Sequence, residues 1–260
     1  MTLAEQFDGF LIDLDGVVWI GAEPVPGAPE ALQALLTAGK RIVFVTNNPG
    51  KPPAAYAERL QGMGVAVGPE QVVTAGVVTS RLAAEAAGPG GGAFVIGATA
   101  LKEMVAASGT ALLEGEAAYE ADVVVVSGHR GFDFEELLSA TRALQHGAAL
   151  VATSRDPTLP MPGGEWPGTG AILAAIETAS GSTAEIGGKP ERHLFDLALE
   201  RVGDGRVAMV GDRISSDIEG GRRAGLTTIL VLSGTSTQAE AEAAQPPPDH
   251  VVDNLAALLS

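Results

Sequence analysis

Two carboxylates one residue apart, Asp13 and Asp15, close an apolar run of Phe10, Leu11 and Ile12, and Gly16 stands directly behind them. The run is short enough to be a buried strand. In a strand the two acids share one face, while Gly16 signals that the chain is already turning. At one strand end like charges repel, and one pKa rises unless a cation intervenes. The residue types therefore suggest either a metal site or an acid–base pair. A polar strand end entering a loop is the plain alternative, and D-x-D alone does not separate them.

Two further apolar runs end the same way. Residues 41–46 finish in Thr46, Asn47 and Asn48, and residues 207–210 finish in Gly211, Asp212 and Arg213, with Asp217 just beyond. In a doubly wound sheet, ligands bind outside the carboxyl ends of the strands. Parallel strands would bring all three clusters to one edge. Lys189 precedes a helical pattern, with Pro190 placed for its first position. Carboxylate oxygens suit Mg²⁺, a hard ion that keeps waters and binds few protein groups. Thr46, Asn47 and Lys189 are donors suited to phosphate oxygens. A phosphoryl group held between Mg²⁺ and Lys189 could be attacked by a carboxylate already fixed to the metal.

The elements that must position these residues alternate. Leu32, Leu35 and Leu36 mark a helix ended by Gly39, a strand spans 41–46, and Tyr56, Leu60 and Met63 mark a helix closed by Gly64. A short strand over 71–74 and a helix over 77–87 follow. This strand–helix rhythm argues for parallel pairing with right-handed crossovers. Residues 88–92, G-P-G-G-G, interrupt it; they lack the G-x-x-x-x-G-K-[ST] and G-x-G-x-x-G patterns and read as a hinge or linker. A second alternation then begins. Strands are expected over 93–97, 122–127 and 149–153. A helix capped by Thr99 carries Leu101, Met104 and Val105, and one with a capping-box-like start at Asp133 and Glu136 runs to Gly147. Residues 154–168 read as irregular, and Thr169 opens a helix with Ile172, Leu173 and Ile176. The first rhythm resumes with a helix containing Leu194, Leu197 and Val202. The 207–210 strand follows it, then a short helix capped by Ser215, strands over 227–232 and 250–252, and a loose loop over 239–248. The reading is α/β: a doubly wound parallel sheet over 1–87 and 184–260, with a smaller α/β unit inserted at 88–183.

Composition narrows the class. A length of 260 residues and a hydrophobic fraction of 46% suit one large or two modest domains. The absence of cysteine excludes disulfides, thiolate catalysis and Cys-based zinc sites, and fits a cytoplasmic location. No signal peptide and no membrane-length apolar run are read. The net charge of −16, from 32 acidic and 16 basic residues, opposes binding to nucleic acid or anionic lipid. It also makes local neutralisation of an incoming anion more necessary. The basic residues are 12 Arg and 4 Lys, a bias that fits either a high-salt cytoplasm or a G+C-rich genome.

The motifs resemble a known family. D-L-D-G-V (13–17), T-N-N-P (46–49), G-K-P (188–190) and G-D-R-I-S-S-D-I (211–218) match, in order, the four motifs of the haloacid dehalogenase superfamily phosphatases. The branch resembled is class IIA, the p-nitrophenylphosphatase, phosphoglycolate and pyridoxal phosphate phosphatase group. P-G-A-P-E-A-L, A-T-S-R-D-P, P-G-T-G and M-V-G-D-R extend the match along most of the chain. The resemblance implies that Asp13 is the nucleophile forming an aspartyl-phosphate, and that Asp15 is general acid and then general base. It implies that Thr46, Asn47 and Asn48 hold the phosphoryl oxygens, with Lys189 neutralising charge. Mg²⁺ would be bound by Asp13, the main-chain carbonyl of Asp15 and Asp212, with Asp217 acting from outside the ligand set. The insert would be a cap that selects the substrate, with Arg155 and Leu159 as cap residues to watch. The implied substrate is a small phosphorylated metabolite.

Some positions depart from the family. Ser216 stands where close relatives have Thr, His129-Arg130-Gly131-Phe132 where they read D-R-x-F, and Leu159 where the pyridoxal phosphate branch has a histidine. Residue by residue, plainer readings exist. Lys189 could be a solvated helix start and Thr46–Asn47–Asn48 a strand-to-turn transition. Asp212 and Asp217 could be a loop acid and a helix-start acid. Arg130 and Arg155 read either as substrate contacts or as surface charge, and the four histidines show no metal-ligand spacing. A catalytically silent phosphate-binding relative and an Asp-phosphoacceptor signalling domain are the rival functions. The physiological substrate and any homo-oligomer are left open.

Overall fold

The structure is a computed structural model that describes residues 2–161 and 164–260. The chain forms two compact units. One comprises Met1–Thr46, Pro53–Val73 and Lys189–Ser260, and the other comprises Asn47–Pro52 and Thr74–Gly188. The second unit is wider on both sides than the insert drawn from the sequence.

The first unit holds a six-stranded sheet in the order His250–Val252, Thr227–Val231, Val207–Gly211, Gly9–Asp13, Arg41–Thr46, Val72–Thr74. The four pairings from His250–Val252 through Arg41–Thr46 are parallel. Gly9–Asp13 is central and buried throughout, which is why its sequence up to Asp13 is a continuous apolar run and not an alternating one. On one face Phe10, Ile12, Phe44, Leu32, Leu35 and Trp19 share a core. Helix Ala28–Thr37 supplies Ala28, Ala31, Leu32 and Leu35, the i, i+3, i+4, i+7 set of an amphipathic stripe. Register brings the polar strand ends level: Asp13 lies opposite Val45, next to Thr46, and Ile12 lies opposite Val210, two residues before Asp212.

The second unit is also α/β. Its five-stranded parallel sheet runs Glu185–Ile186, Ala149–Ala152, Val123–Val126, Gly92–Ile96, Ala111–Leu112. Val124, Val126, Ile96, Ala140, Leu144, Leu173 and Ile176 belong to its core. Among the described residues no helix is long and apolar enough to cross a membrane.

Several local expectations are corrected. The segment read as irregular contains an antiparallel pair, Thr158–Met161 with Gly164–Pro167. The loose loop contains helix Gln238–Ala243, started by a reciprocal Thr237–Glu240 capping box. Thr99 is the first helical residue and Ala98 occupies the cap position. Asp133 does cap its helix by accepting from Glu136 N–H, at 2.9 Å, but the Glu136 carboxylate meets His129 Nε2 at 2.8 Å. Ser215 does not cap a helix: Ile214–Ile218 is a wide π turn that leads into helix Glu219–Arg223. Pro190 follows a cis peptide bond after Lys189, and the helix begins at Arg192.

Candidate active site

The first unit collects a buried charge cluster at the carboxyl edge of its sheet. Asp13 ends the central strand, Asp212 follows Val207–Gly211, and Asp217 sits in the π turn that comes next. Their ligand oxygens lie within 4.8 Å of one another. Lys189, only 3% exposed, donates to Asp13 Oδ1 and Asp217 Oδ1, each at 2.6 Å. Asp217 Oδ2 accepts from the Arg213 N–H at 3.0 Å. Thr46 is buried at the end of the neighbouring strand.

Burial pushes the Asp13 carboxyl well above the usual carboxylate range; Lys189 pulls it down, and Asp217 and Asp212 push it up again. Burial and then Asp217 raise Asp212, against the N–H of Thr235. Burial opposes the Lys189 ammonium, yet Asp13 and Asp217 together hold it above its ordinary value. The charges state the problem simply. Three buried carboxylates face one buried ammonium, and the imbalance of two negative charges matches one divalent cation. An all-oxygen donor set is what Mg²⁺ prefers. The residues present therefore fit the ion: Asp13, Asp212 and Asp217 offer carboxylate oxygens to one point, and Asp217 is also tied to Lys189 and Arg213.

A loop that the sequence reading passed over completes the cluster. Thr235 N–H donates to Asp212 Oδ2 at 2.6 Å, Ser236 N–H to Asp212 O at 3.0 Å, and Ser233 Oγ to Gly16 O at 2.8 Å. Its signal was in the sequence: S-G-T-S follows the strand Thr227–Val231 and is a fourth polar cluster at a strand end. Glycine is required around Asp212. A Cβ on Gly234 would lie 2.1 Å from Asp212 Oδ2, and one on Gly16, where φ is +88°, would lie 2.4 Å from the same atom.

Asp15 is placed differently from Asp13. It is exposed, and its Oδ1 accepts from the Trp19 indole Nε1–H at 2.9 Å. Trp19 is fully buried, and the sequence reading assigned it nothing.

The remaining site candidates belong to the second unit. Asn47 Nδ2 donates to Asp156 Oδ2 at 3.1 Å, and exposed Asn48 accepts from Gly50 N–H at 3.0 Å. Both nitrogens of the Arg155 fork engage Glu177, at 2.9 and 2.8 Å, and Nη2 also reaches Ala184 O. Arg130 covers the Trp166 ring at 4.5 Å. Leu159 falls on strand Thr158–Met161, in register with Trp166; as a side chain it lies outside the described residues.

Known proteins are similar to this chain in sequence and fold. Residues 10–111 match the model of the haloacid dehalogenase-like hydrolases, and residues 186–258 match a HAD-hydrolase-like model. The glycerol-3-phosphate phosphatase of Homo sapiens is 40% identical, over 99% of this chain and 92% of its own length. The crystal structure of a glycerol phosphate phosphatase from Mycobacterium tuberculosis in complex with magnesium superposes with a TM-score of 0.89 at 35% identity, covering 99% of this chain and 78% of that one. The p-nitrophenyl phosphatase of Archaeoglobus fulgidus superposes with a TM-score of 0.90 at 31% identity, covering 98% of each chain. Motif order, sheet topology and these matches agree, and the chain belongs to the haloacid dehalogenase-like hydrolase family.

Proposed function

We propose that this protein is a Mg²⁺-dependent phosphatase that hydrolyses small phosphate monoesters through an aspartyl-phosphate. The observation that carries the reading is the buried Asp13–Lys189–Asp217–Asp212 cluster at the carboxyl edge of a parallel sheet. Its relatives include phosphatases named for glycerol-3-phosphate and for p-nitrophenyl phosphate. When bound, Mg²⁺ neutralises the charge of its carboxylate ligands and of the phosphoryl oxygens. Asp13, Asp212 and the main-chain carbonyl of Asp15 would hold it.

The chain's own groups then divide the work. The Asp13 carboxylate attacks phosphorus, and the ester P–O bond breaks as Asp15 gives its proton to the departing oxygen. Asp15 next takes a proton from water, which attacks the same phosphorus and breaks the bond to Asp13, releasing inorganic phosphate. The Lys189 ammonium, fixed by two carboxylates, holds the nucleophile and balances the phosphoryl charge. Thr46, buried at the end of the strand beside Asp13, donates to the phosphoryl oxygens. Choice among esters is assigned to the second unit, with Leu159 as the first residue to vary.

Phosphate release from p-nitrophenyl phosphate and from glycerol phosphate tests the reading, with and without Mg²⁺. Turnover should require the metal and vanish in Asp13→Asn. A silent relative would release nothing. A phosphoacceptor domain would hold phosphate on Asp13 and stall after one equivalent. Either outcome in the wild-type protein would overturn the proposal.

A further inference from the structure

The Asp15 side chain is exposed, and an aspartate in that position ordinarily samples several rotamers. Here one rotamer is selected by the 2.9 Å hydrogen bond from Trp19 Nε1–H to Asp15 Oδ1. Trp19 is itself held on every side. It is fully buried and stacks on Tyr56, with ring centroids 6.4 Å apart and planes 4° from parallel. The guanidinium carbon of Arg59 lies 3.9 Å from the indole centroid. Arg59 in turn donates to the carbonyls of Gly21 and Ala22, at 2.7 and 3.1 Å. Those carbonyls form the turn between the short paired strands Trp19–Ile20 and Glu23–Pro24. The backbone closes the arrangement, since Gly16 N–H donates to Trp19 O at 2.7 Å.

A buried indole needs an acceptor for its N–H, and a carboxylate on the surface is a costly choice if that is the whole purpose. A backbone carbonyl would serve as well and would leave Asp15 free to rotate. The cation on the ring face also draws on the π density of the indole, which strengthens the N–H at its edge as a donor.

We propose that Trp19 is a positioning residue for proton transfer by Asp15, held in place by Tyr56 and Arg59. Its N–H occupies Oδ1, so Oδ2 is the oxygen that gives a proton to the departing ester oxygen and later takes one from water. The carboxylate is thereby aimed before the substrate arrives, which is where positioned acid catalysis gains its advantage. The proposal rests on the phosphatase reading above.

The test compares Trp19→Phe with wild type on two esters, because nitrophenolate departs without a proton and an alkoxide does not. The ratio kcat/KM covers the steps up to leaving-group departure, so it isolates the acid role. Positioned proton transfer contributes roughly 10²–10⁴-fold in all, and loss of its aim should remove about tenfold. The expected result is a fall of about tenfold in kcat/KM for glycerol phosphate and less than about twofold for p-nitrophenyl phosphate. A purely structural indole would lower both equally; equal losses, or no loss on either ester, would overturn the proposal. If Trp19→Phe does not fold, Arg59→Met asks the same question with Asp15 and Trp19 both present. It should give a smaller loss, still confined to the alkyl ester, and an equal loss on both would again overturn the idea. Wild-type protein that hydrolyses neither ester would instead sink the phosphatase reading, so the two failures are distinct.

Discussion

Lys189 is the single positive charge against three carboxylates in the buried cluster among the described residues, and replacing it by Met tests the charge balance directly. Met keeps the apolar stem and removes the ammonium. Each contact is 2.6 Å long; at an effective dielectric constant near 20 that separation corresponds to roughly 6 kcal/mol of attraction. The cost of burying the ammonium offsets much of this, and breaking a buried pair typically costs about 3–5 kcal/mol. Metal-free Lys189→Met should therefore be less stable than metal-free wild type by about that amount at pH 8. The deficit should shrink in acid. Burial already raises the folded-state pKa of Asp13, and Lys189 is the group that opposes the rise. A carboxyl raised in the folded state contributes stability that is complete below its unfolded pKa and is lost as pH rises through the folded one. Without Lys189 that window moves upward, so protonation relieves the variant sooner as pH falls. Mg²⁺ should then stabilise the variant more than the wild type, because three uncompensated carboxylates bind a divalent cation more tightly. Activity should nevertheless fall by at least about 100-fold at saturating Mg²⁺. Urea denaturation at pH 8 and pH 5, with chelator or Mg²⁺, together with phosphate release, measures all four quantities. Metal-free stability within about 1 kcal/mol of wild type at pH 8, or equal stabilisation by Mg²⁺, would refute the charge-balance argument.

Other perturbations separate the remaining roles. Asp15→Asn keeps the main-chain carbonyl, so rapid quench should show a burst of nitrophenolate of at most about one equivalent per site before stalling, and no burst from an alkyl phosphate; equal loss on both esters would remove the proton-transfer role. Gly234→Ala puts a Cβ where Asp212 Oδ2 now stands, 2.1 Å away, so half-saturating Mg²⁺ should rise by about tenfold or more. An unchanged metal requirement would take Asp212 out of the ligand set. Arg155→Ala should leave kcat/KM within about twofold, because its fork is engaged by Glu177. The cost should appear as a loss of about 1 kcal/mol or less in stability; a change in substrate preference would make Arg155 a specificity residue.

The parts of the fold that were legible are those with a long signal. Gly9–Asp13 and Val123–Val126 are buried throughout, so their sequences are continuous apolar runs, the first ended by Asp13. Ala28–Thr37 carries its buried stripe at helical spacing. Shorter elements carry no such period. Of the two-residue strands, Ala111–Leu112 and Glu185–Ile186 are held by partners elsewhere in the chain, while Trp19–Ile20 and Glu23–Pro24 pair with each other across a turn and are too short to show an alternation. Helix Gln238–Ala243 has no apolar stripe, and its Thr237-x-x-Glu240 start was the one local clue.

By itself the sequence determined which chemistry was available and where along the chain it lay: Asp13 and Asp15, Thr46, Lys189, Asp212 and Asp217 each sit at a strand end or helix start that side-chain patterning locates. Tertiary structure alone decided which charges meet. Lys189 bridges Asp13 and Asp217, and Thr235 reaches Asp212, through contacts set by strand register and loop path. It also decided that two neighbouring acids live in opposite surroundings. Asp13 is buried among like charges, while Asp15 stands exposed against an indole N–H. The physical reason is range. Propensity and periodicity act over a few residues, whereas burial, repulsion and hydrogen bonding depend on distances that exist only once remote segments have packed.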